Sequence, residues 1–509
     1  MSRLRAILMR SVQCEAIVFG GGFSGTLLAT LLARQGTDVV VLERQQHPRF
    51  AIGESSTPLA NQTLRDLAST YDLPELEVIS RFGTWRETYP DVTCGLKRGF
   101  AYFRHQPGQP FHSRDRENEL LVAASRKDAI GDTHWLRAEV DHWFARLARQ
   151  AGVQVFEGWQ PRRLEQEKGV WIAEGLAFGG PLCVRTRGWI FDATGPAAYV
   201  ARTAGSRVTS HGFRTATRSV YTHVRDLPPW EHQLQEASVS TLEYPFRADD
   251  AAVHHLIEEG WIWQLPFVDG RVSVGWVQPW KPSNHGGTVK ALVEQEWLAR
   301  YPTLHAWLGQ ANLAQTPGEW FSTGRLQRRL THLFGNGWVA LPHTYAFVDP
   351  FYSMGIAWSL FGIRRLARWW NEDASTSHSL EALALYADQL KRESRHLDHL
   401  IAMAYRAMPS PTLFHAATMV YFAAATQAER SGSGSAPGFL AAEDAAFSCA
   451  VDEIGAAIDE AARNGDLSAH RETAAWIEQR LAPFNQVGLF HPRDPHLYWE
   501  TAAPDATKG

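Results

Sequence analysis

A chain of 509 residues is too long for one simple core and calls for two or three structural units. Its 45% hydrophobic and 20% charged residues are an ordinary globular balance, and a net charge of −4 without a basic block argues against a nucleic-acid partner. No window reaches the length and apolarity of a membrane span, and twenty tryptophans point to large aromatic-lined cavities.

The basic N-terminal stretch MSRLRAILMRSVQ has an apolar run too short, and too interrupted by arginine, for a signal peptide. Cys14, Cys94, Cys183 and Cys449 are scattered and form no CxxC pair, so they read as reduced thiols of a cytoplasmic protein. CEAIVFGGGFSGTLLATLLARQGTDVVVLER then reads as strand, turn, helix, strand. Ala16 to Phe19 suit a strand buried on both faces. Gly20, Gly22 and Gly25 complete GxGxxG: the first permits the tight turn, the second lets a pyrophosphate approach, and the third lets helix and strand pack closely. Phe23 and Ser24 open the helix, whose free N–H groups and positive dipole end face that phosphate. Leu27, Leu28, Leu31 and Leu32 form its apolar face. Val39 to Leu42 are the second strand, and Glu43 at its end can accept hydrogen bonds from an adenosine ribose. The context specifies a dinucleotide, with FAD and NAD both open.

AIGESSTP, Ala51 to Pro58, is poor in apolar residues and is expected outside the core. Read by itself it is a solvated loop in which Thr57-Pro58 starts a helix over Leu59 to Leu67. In CGLKRGFAYF, Lys97 is flanked by glycines and apolar residues and not by acids; in isolation it is a surface lysine snorkelling from a strand edge. GWIFDATGP, Gly188 to Pro196, is a strand ending in Asp192. From about 205 to 330, alternating segments such as RVSVGWV form a sheet. In GWIWQLPF, Trp261 and Trp263 share one strand face. Gly335 to Trp370 repeats strand, turn and apolar-faced helix. No second GxGxxG occurs, so no separate NAD(P)H domain is expected. From about 375 the pattern is helical, with RSGSGSAPG, Arg430 to Gly438, as a flexible connection. His396, Asp398 and His399 in HLDH lack a third ligand at a fitting spacing and are expected on a solvated helix face, and His254-His255 is expected to be structural; no metal is expected.

In this order the motifs resemble the flavin-dependent halogenases, from about Gly20 to Gly355. The dinucleotide motif comes first. GESSTP is similar to the family's G-E-A/S-T/S-x-P strap, and Lys97 falls at its catalytic lysine. Trp261 and Trp263 match W-x-W-x-I-P with Leu265 for isoleucine, and FVDPFYSMG, Phe347 to Gly355, matches F-x-x-P-x-x-S-x-G. The segments at Asp192 and at Gly335 to Trp370 resemble the flavin-binding segments of such proteins, which favours FAD.

The resemblance implies an α/β, Rossmann-type FAD-binding fold of the hydroxylase-like flavoproteins, with an interleaved β-sheet substrate module and a C-terminal helical region. The implied boundaries are 12–80, 116–205 and 330–372 for the flavin part, 81–115 and 206–329 for the module, and 373–509 for the helices. It implies FADH2- and O2-dependent chlorination or bromination of an electron-rich aromatic small molecule, through a flavin hydroperoxide and hypohalous acid activated by Lys97. Cofactor contacts then fall on Ser55, Ser56 and Thr57 of the strap, and on Arg137, Asp192, Asp349, Gly355 and Ile356, beside Gly20 to Glu43. The N–H groups of Met354 and Gly355 are the implied halide site. Phe100, Phe351, Tyr352 and Ser353 are the implied substrate pocket, and Trp261 and Trp263 its gatekeepers against direct hydroxylation. A separate NAD(P)H-dependent flavin reductase and a place in secondary metabolism, such as antibiotic biosynthesis, are implied as well.

Tryptophan halogenases carry a glutamate directly before the serine of the helix-start motif; here Tyr352 precedes Ser353. That departure, with the residues around Lys97 and QHPRF (Gln46 to Phe50), points to a phenol and away from free tryptophan. A flavin monooxygenase, or a halogenase-like flavoprotein without halogenating activity, stays open as an alternative. So do a carrier-tethered substrate and a homodimer.

Overall fold

The computed structural model describes residues 9–281, 296–372, 380–430, 438–492, 494 and 496–501. The flexible connection expected in RSGSGSAPG lies outside the described residues from 431 to 437.

The chain begins as the apolar runs require, with β1 (Arg10–Phe19), α1 (Phe23–Arg34) and β2 (Val39–Leu42). β1 starts at Arg10, ahead of the expected Ala16. Its first half lies alongside Leu182 to Thr186, and its exposed, alternating residues hide it from a search for apolar runs. After α2 (Pro58–Tyr71) come β3 (Cys94–Lys97), β4 (Gly99–Arg104), β5 (Glu119–Ala123), β6 (Asp132–Trp135), α3 (Arg137–Gln150), β7 (Gln154–Phe156) and β8 (Gly180–Asp192). In the first sheet β7, β2, β1, β8 and β13 (Trp338–Ala340) run parallel in that order, the arrangement of a dinucleotide fold.

The second sheet is built from β9 (Thr217–Arg225), β10 (Ala252–Ile257), β11 (Gly260–Pro266) and β12 (Val272–Pro279), joined by β4 and β5. Side-chain alternation gives it two buried faces. Phe100, Tyr102, Trp261 and Trp263 enter the large core that continues into the first sheet. Ala101, Phe103, Ile262 and Trp276 enter a second core with Trp230, Tyr301 and Trp307. A fully buried tryptophan such as Trp230 or Trp307 removes enough apolar area to contribute about 4–6 kcal/mol.

In the C-terminal part α4 (Gly355–Glu372) packs on α1 and α2, α5 (Leu380–Ala407) and α6 (Pro411–Arg430) pack on each other and α6 also on α2, while α7 (Ala445–Asn464) packs on α5 and α6, and α8 (Leu467–Leu481) on α6 and α7. This part ends in a short strand, β14 (Leu497–Tyr498), parallel to β5. So β5, expected in the flavin part, belongs to the second sheet as the antiparallel neighbour of β4, and the helical region adds a strand to that sheet.

The solvated helix face expected for HLDH is corrected: His396, Asp398 and His399 are buried in α5. Asp398 accepts the Thr215 hydroxyl at 2.6 Å and the N–H groups of Arg214 and Thr215, so this polar face ties the helices to the sheet. The His254-His255 pair is buried in β10. All four cysteines are unpaired. Among the described residues no helix is long and apolar enough to cross a membrane.

Candidate active site

The glycine turn leaves room where a dinucleotide needs it. Gly20 has φ +103, and a Cβ on Gly25 would lie 2.0 Å from the Gly20 carbonyl oxygen, so both are fixed by the turn itself. A Cβ on Gly22 would meet nothing nearer than Arg49 Nη2, at 3.5 Å. Gly22 is the N-cap of α1, so this space lies at the positive end of a helix, beside the guanidinium groups of Arg49 and Arg137. Those residues fit a pyrophosphate. Both arginines pair with buried Asp141, and Arg137 lies over the Phe23 ring, 4.8 Å from its centroid. Glu43, at the end of β2, accepts the Gly21 N–H at 2.6 Å and the Gln45 N–H at 2.7 Å. Asp192 turns to its own loop, accepting the N–H and hydroxyl of Thr194 and the N–H of Ala201.

The Gly53 strap is not outside the core: Glu54, Ser55, Ser56 and Thr57 are all buried. Its backbone pairs with β6. Trp135 donates to the Glu54 carbonyl, Ser56 N–H to the Thr133 carbonyl, and Thr133 N–H to Ser56 Oγ, while Ser55 bridges His134. Arg137 Nη1 donates to the carbonyls of Ile52 and Gly53, and Glu54 meets His223 at 2.8 Å. Burial of so polar a segment is possible because these partners satisfy it. Thr57 occupies the N-cap of α2 without capping it through its side chain. Its hydroxyl and that of Ser55 are buried without a hydrogen-bond partner among the described residues, an arrangement that leaves them for a ligand.

Lys97, the last residue of β3, is fully buried, which excludes the surface-lysine reading. Nζ donates to the Ser56 carbonyl at 2.6 Å and stands 4.0 Å from the Phe100 ring centroid. In the β3–β6 register Lys97 is opposite Asp132, so the two side chains share one face of the ribbon. An acid therefore does accompany Lys97, from a distant strand. Asp132 is itself buried and takes the Asn61 amide at 2.6 Å. Burial pulls the lysine well below its usual range and Asp132 pulls it back; burial raises Asp132, and Lys97, Arg65 and Asn61 oppose that.

The turn before α4 completes the site. Burial pushes Asp349 up to about 7, opposed by its hydrogen bonds: it accepts the Thr217 hydroxyl at 2.6 Å, the Phe351 N–H and the Tyr405 hydroxyl. Ser353 holds φ +56, an uncommon conformation for serine that turns the chain into the helix. His254 meets the Phe351 carbonyl at 2.9 Å. Trp261 and Trp263 share a face as expected, their rings 6.0 Å apart, with Trp261 Nε1 on Tyr405 and Trp263 Nε1 on Ser273.

A narrow cavity opens between strap, β4, turn and α6, lined by Thr57, Pro58, Leu59, Phe100, Met354, Tyr421, Phe422, Ala425 and Glu429 among others. It brings together Thr57, Phe100 and Met354, with Lys97 behind the Phe100 ring. Tyr352 and Phe351 stand outside this lining. Tyr352 stacks on Tyr421 at 3.9 Å, and Phe351 packs on Trp261. Gly355 and buried Ile356 begin α4. Sequence reasoning missed Asp132, Asn61, His223, Tyr405 and the whole α6 wall. For α6 there was a signal: PTLFHAATMVYFAAAT is apolar almost all round, the mark of a helix buried on every side.

The sequence profile of the FAD dependent oxidoreductase family matches residues 15–335. Monodechloroaminopyrrolnitrin halogenase PrnC of Pseudomonas fluorescens is 29% identical over 364 residues, 69% of this chain and 60% of the relative. Tetracycline 7-halogenase of Kitasatospora aureofaciens is 24% identical over 364 residues, 67% of this chain and 60% of the relative. The chain thus spans about 60% of the length of these curated relatives. Halogenase PltM, solved in complex with phloroglucinol and FAD, has the same fold: TM-score 0.81 at 21% identity, covering 94% of this chain and 98% of PltM. The chain belongs to the FAD-dependent oxidoreductases, and the curated relatives to which it is similar are halogenases.

Proposed function

We propose that the chain halogenates an electron-rich aromatic small molecule, a phenol, using reduced FAD, O2 and chloride or bromide. The observation that carries this reading is Lys97, a fully buried amine on a strand edge, held by the strap carbonyl and stacked on the Phe100 wall of the cavity. Gly22, Arg49 and Arg137 would hold the pyrophosphate, and Ser55 and Thr57 would turn their hydroxyls to the flavin. Reduced FAD with O2 supplies, when bound, the oxidising equivalent that converts halide to hypohalous acid. The N–H groups of Met354 and Gly355, at the start of α4, suit the halide.

Lys97 then acts on hypohalous acid. One of its N–H groups is fixed on Ser56, so the ammonium is oriented, and another donates to the hypohalous oxygen. The ring carbon takes the halogen as the halogen–oxygen bond breaks. The departing hydroxide takes a proton from Lys97 and becomes water, and the amine so formed accepts the proton the ring loses. Aromatic C–H and hypohalous acid thus give aryl halide and water. Asp132 favours the ammonium that opens this cycle. Trp261 and Trp263 fill the space behind the turn and keep organic substrate from the flavin.

The phenol assignment rests on Tyr352 in place of a carboxylate and on the apolar wall of Phe100, Met354 and Phe422. PltM was solved with phloroglucinol, a trihydroxybenzene. The division of labour follows the sheets, with the dinucleotide on the first and the substrate between the second and α6. A separate NAD(P)H-dependent reductase supplies reduced FAD, and the cytoplasm is the compartment we assign. The test is incubation with FAD, a flavin reductase, NADH, halide and a panel of phenols, read by the isotope pattern of the product. Chlorinated or brominated phenol is expected; hydroxylated product, or none across the panel, rejects the reading.

A further inference from the structure

Tyr102 and Arg104 follow Phe100 at two-residue steps on the same face of β4. They open onto a second cavity, whose walls include Leu120, Leu256, Phe414 and His415. None of its lining residues lines the cavity beside Lys97. Two buried donors here lack partners. The Tyr102 hydroxyl, on a residue 1% exposed, and Arg104 Nη2 have no hydrogen-bond partner among the described residues. Among the other polar groups, Glu119 takes the Tyr244 hydroxyl at 2.8 Å, and His415 meets the Tyr498 hydroxyl at 2.7 Å. Pro411, the first residue of α6, also lines the cavity, so the positive end of a twenty-residue helix adds to the field. Burial alone lowers Arg104 to about 10, with no carboxylate countering it.

A desolvated guanidinium without an acid is costly, and a ligand can supply what the fold does not. Arginine only donates, so the shared ligand must accept hydrogen bonds and carry negative charge. The planar fork matches a carboxylate. The walls of Leu120, Leu256 and Phe414 suit an apolar body. Exposed Glu117 and buried Glu119 on the rim oppose a dianion. We propose that this cavity is a carboxylate-binding subsite that takes a small aryl or alkyl monocarboxylate, held by Arg104 and Tyr102.

The proposal stands apart from the halogenation reading, and its test is direct binding. Sodium benzoate is titrated calorimetrically into the full-length protein, with inorganic phosphate in a parallel arm. Saturable one-to-one benzoate binding is expected, and none for phosphate. Arg104→Met should weaken benzoate about tenfold or more, as loss of a charge-assisted bond does. It should melt, without ligand, at or above the parent temperature, because an uncompensated charge is gone. Tyr102→Phe keeps the ring in the core and should weaken benzoate several-fold, and Lys97→Ala should leave it unchanged. Absence of saturable benzoate binding, phosphate binding in its place, parent-like affinity in either cavity variant, or loss of affinity in Lys97→Ala would each overturn the proposal.

Discussion

Gly22 and Gly25 belong to one motif but are glycine for different reasons. Gly25 is fixed by protein packing: a Cβ there lies 2.0 Å from the Gly20 oxygen. Gly22 has only ordinary contact distances around it. Gly22→Ala should therefore fold with a parent-like melting temperature yet bind FAD about tenfold to a hundredfold more weakly, about 1.4–2.7 kcal/mol. Gly25→Ala should lose stability outright. Fluorescence titration of FAD beside thermal melting separates the two, and parent-like FAD binding by Gly22→Ala would misplace the cofactor. At Lys97 the residue-scale prediction concerns pH. Burial lowers its pKa and Asp132 raises it. If the ammonium is the working donor, the rate falls as pH rises through that lowered value. Asp132→Asn removes the opposing charge, while Asn61 can still donate to the new amide oxygen. The alkaline limb of kcat/KM should then move to lower pH. A limb that stays in place takes Asp132 out of the mechanism.

Local elements were readable wherever neighbours in sequence decide them. β1, α1 and β2 follow from consecutive apolar runs around a glycine turn, and β11 from the alternation at Trp261 and Trp263. The strap was not readable. Its polar composition says solvent, and its burial depends on β6, a partner distant in sequence that satisfies its backbone. The HLDH face failed for the same reason, because donors from Arg214 and Thr215, distant in sequence, offset part of the cost of burying Asp398. α6 could have been read as a buried helix, but nothing local says which cavity it lines. In the proposed function its wall sets the shape of the substrate space. Ala425→Leu adds bulk there, away from the glycine turn. It should lower kcat/KM for a bulky phenol about tenfold relative to a small one, a scale set by a few methylenes in an apolar pocket. FAD affinity should not change. Equal losses for both phenols would place the substrate elsewhere.

At the scale of the whole molecule the fold class and its interleaving were legible from motif order. The boundaries were less so, because β5 and β14 are too short to announce which sheet they join. In the proposed function hydride enters through another protein, a reading supported by one dinucleotide turn and no second in the sequence. Chemically reduced FAD with O2 should replace the reductase fully, and the purified chain alone should not oxidise NADH at the rate of product formation; a matching rate would contradict this division. Strap and ribbon hold the one amine on which the proposed chemistry depends, so the central claim is tested most directly by product formation in Lys97→Ala, measured together with FAD binding and the oxidation of reduced FAD. The account predicts halogenation reduced by at least a hundredfold, on the order of 3 kcal/mol of lost transition-state stabilisation, with flavin binding and oxidation intact. An alanine variant that halogenates within a few-fold of the parent would contradict it.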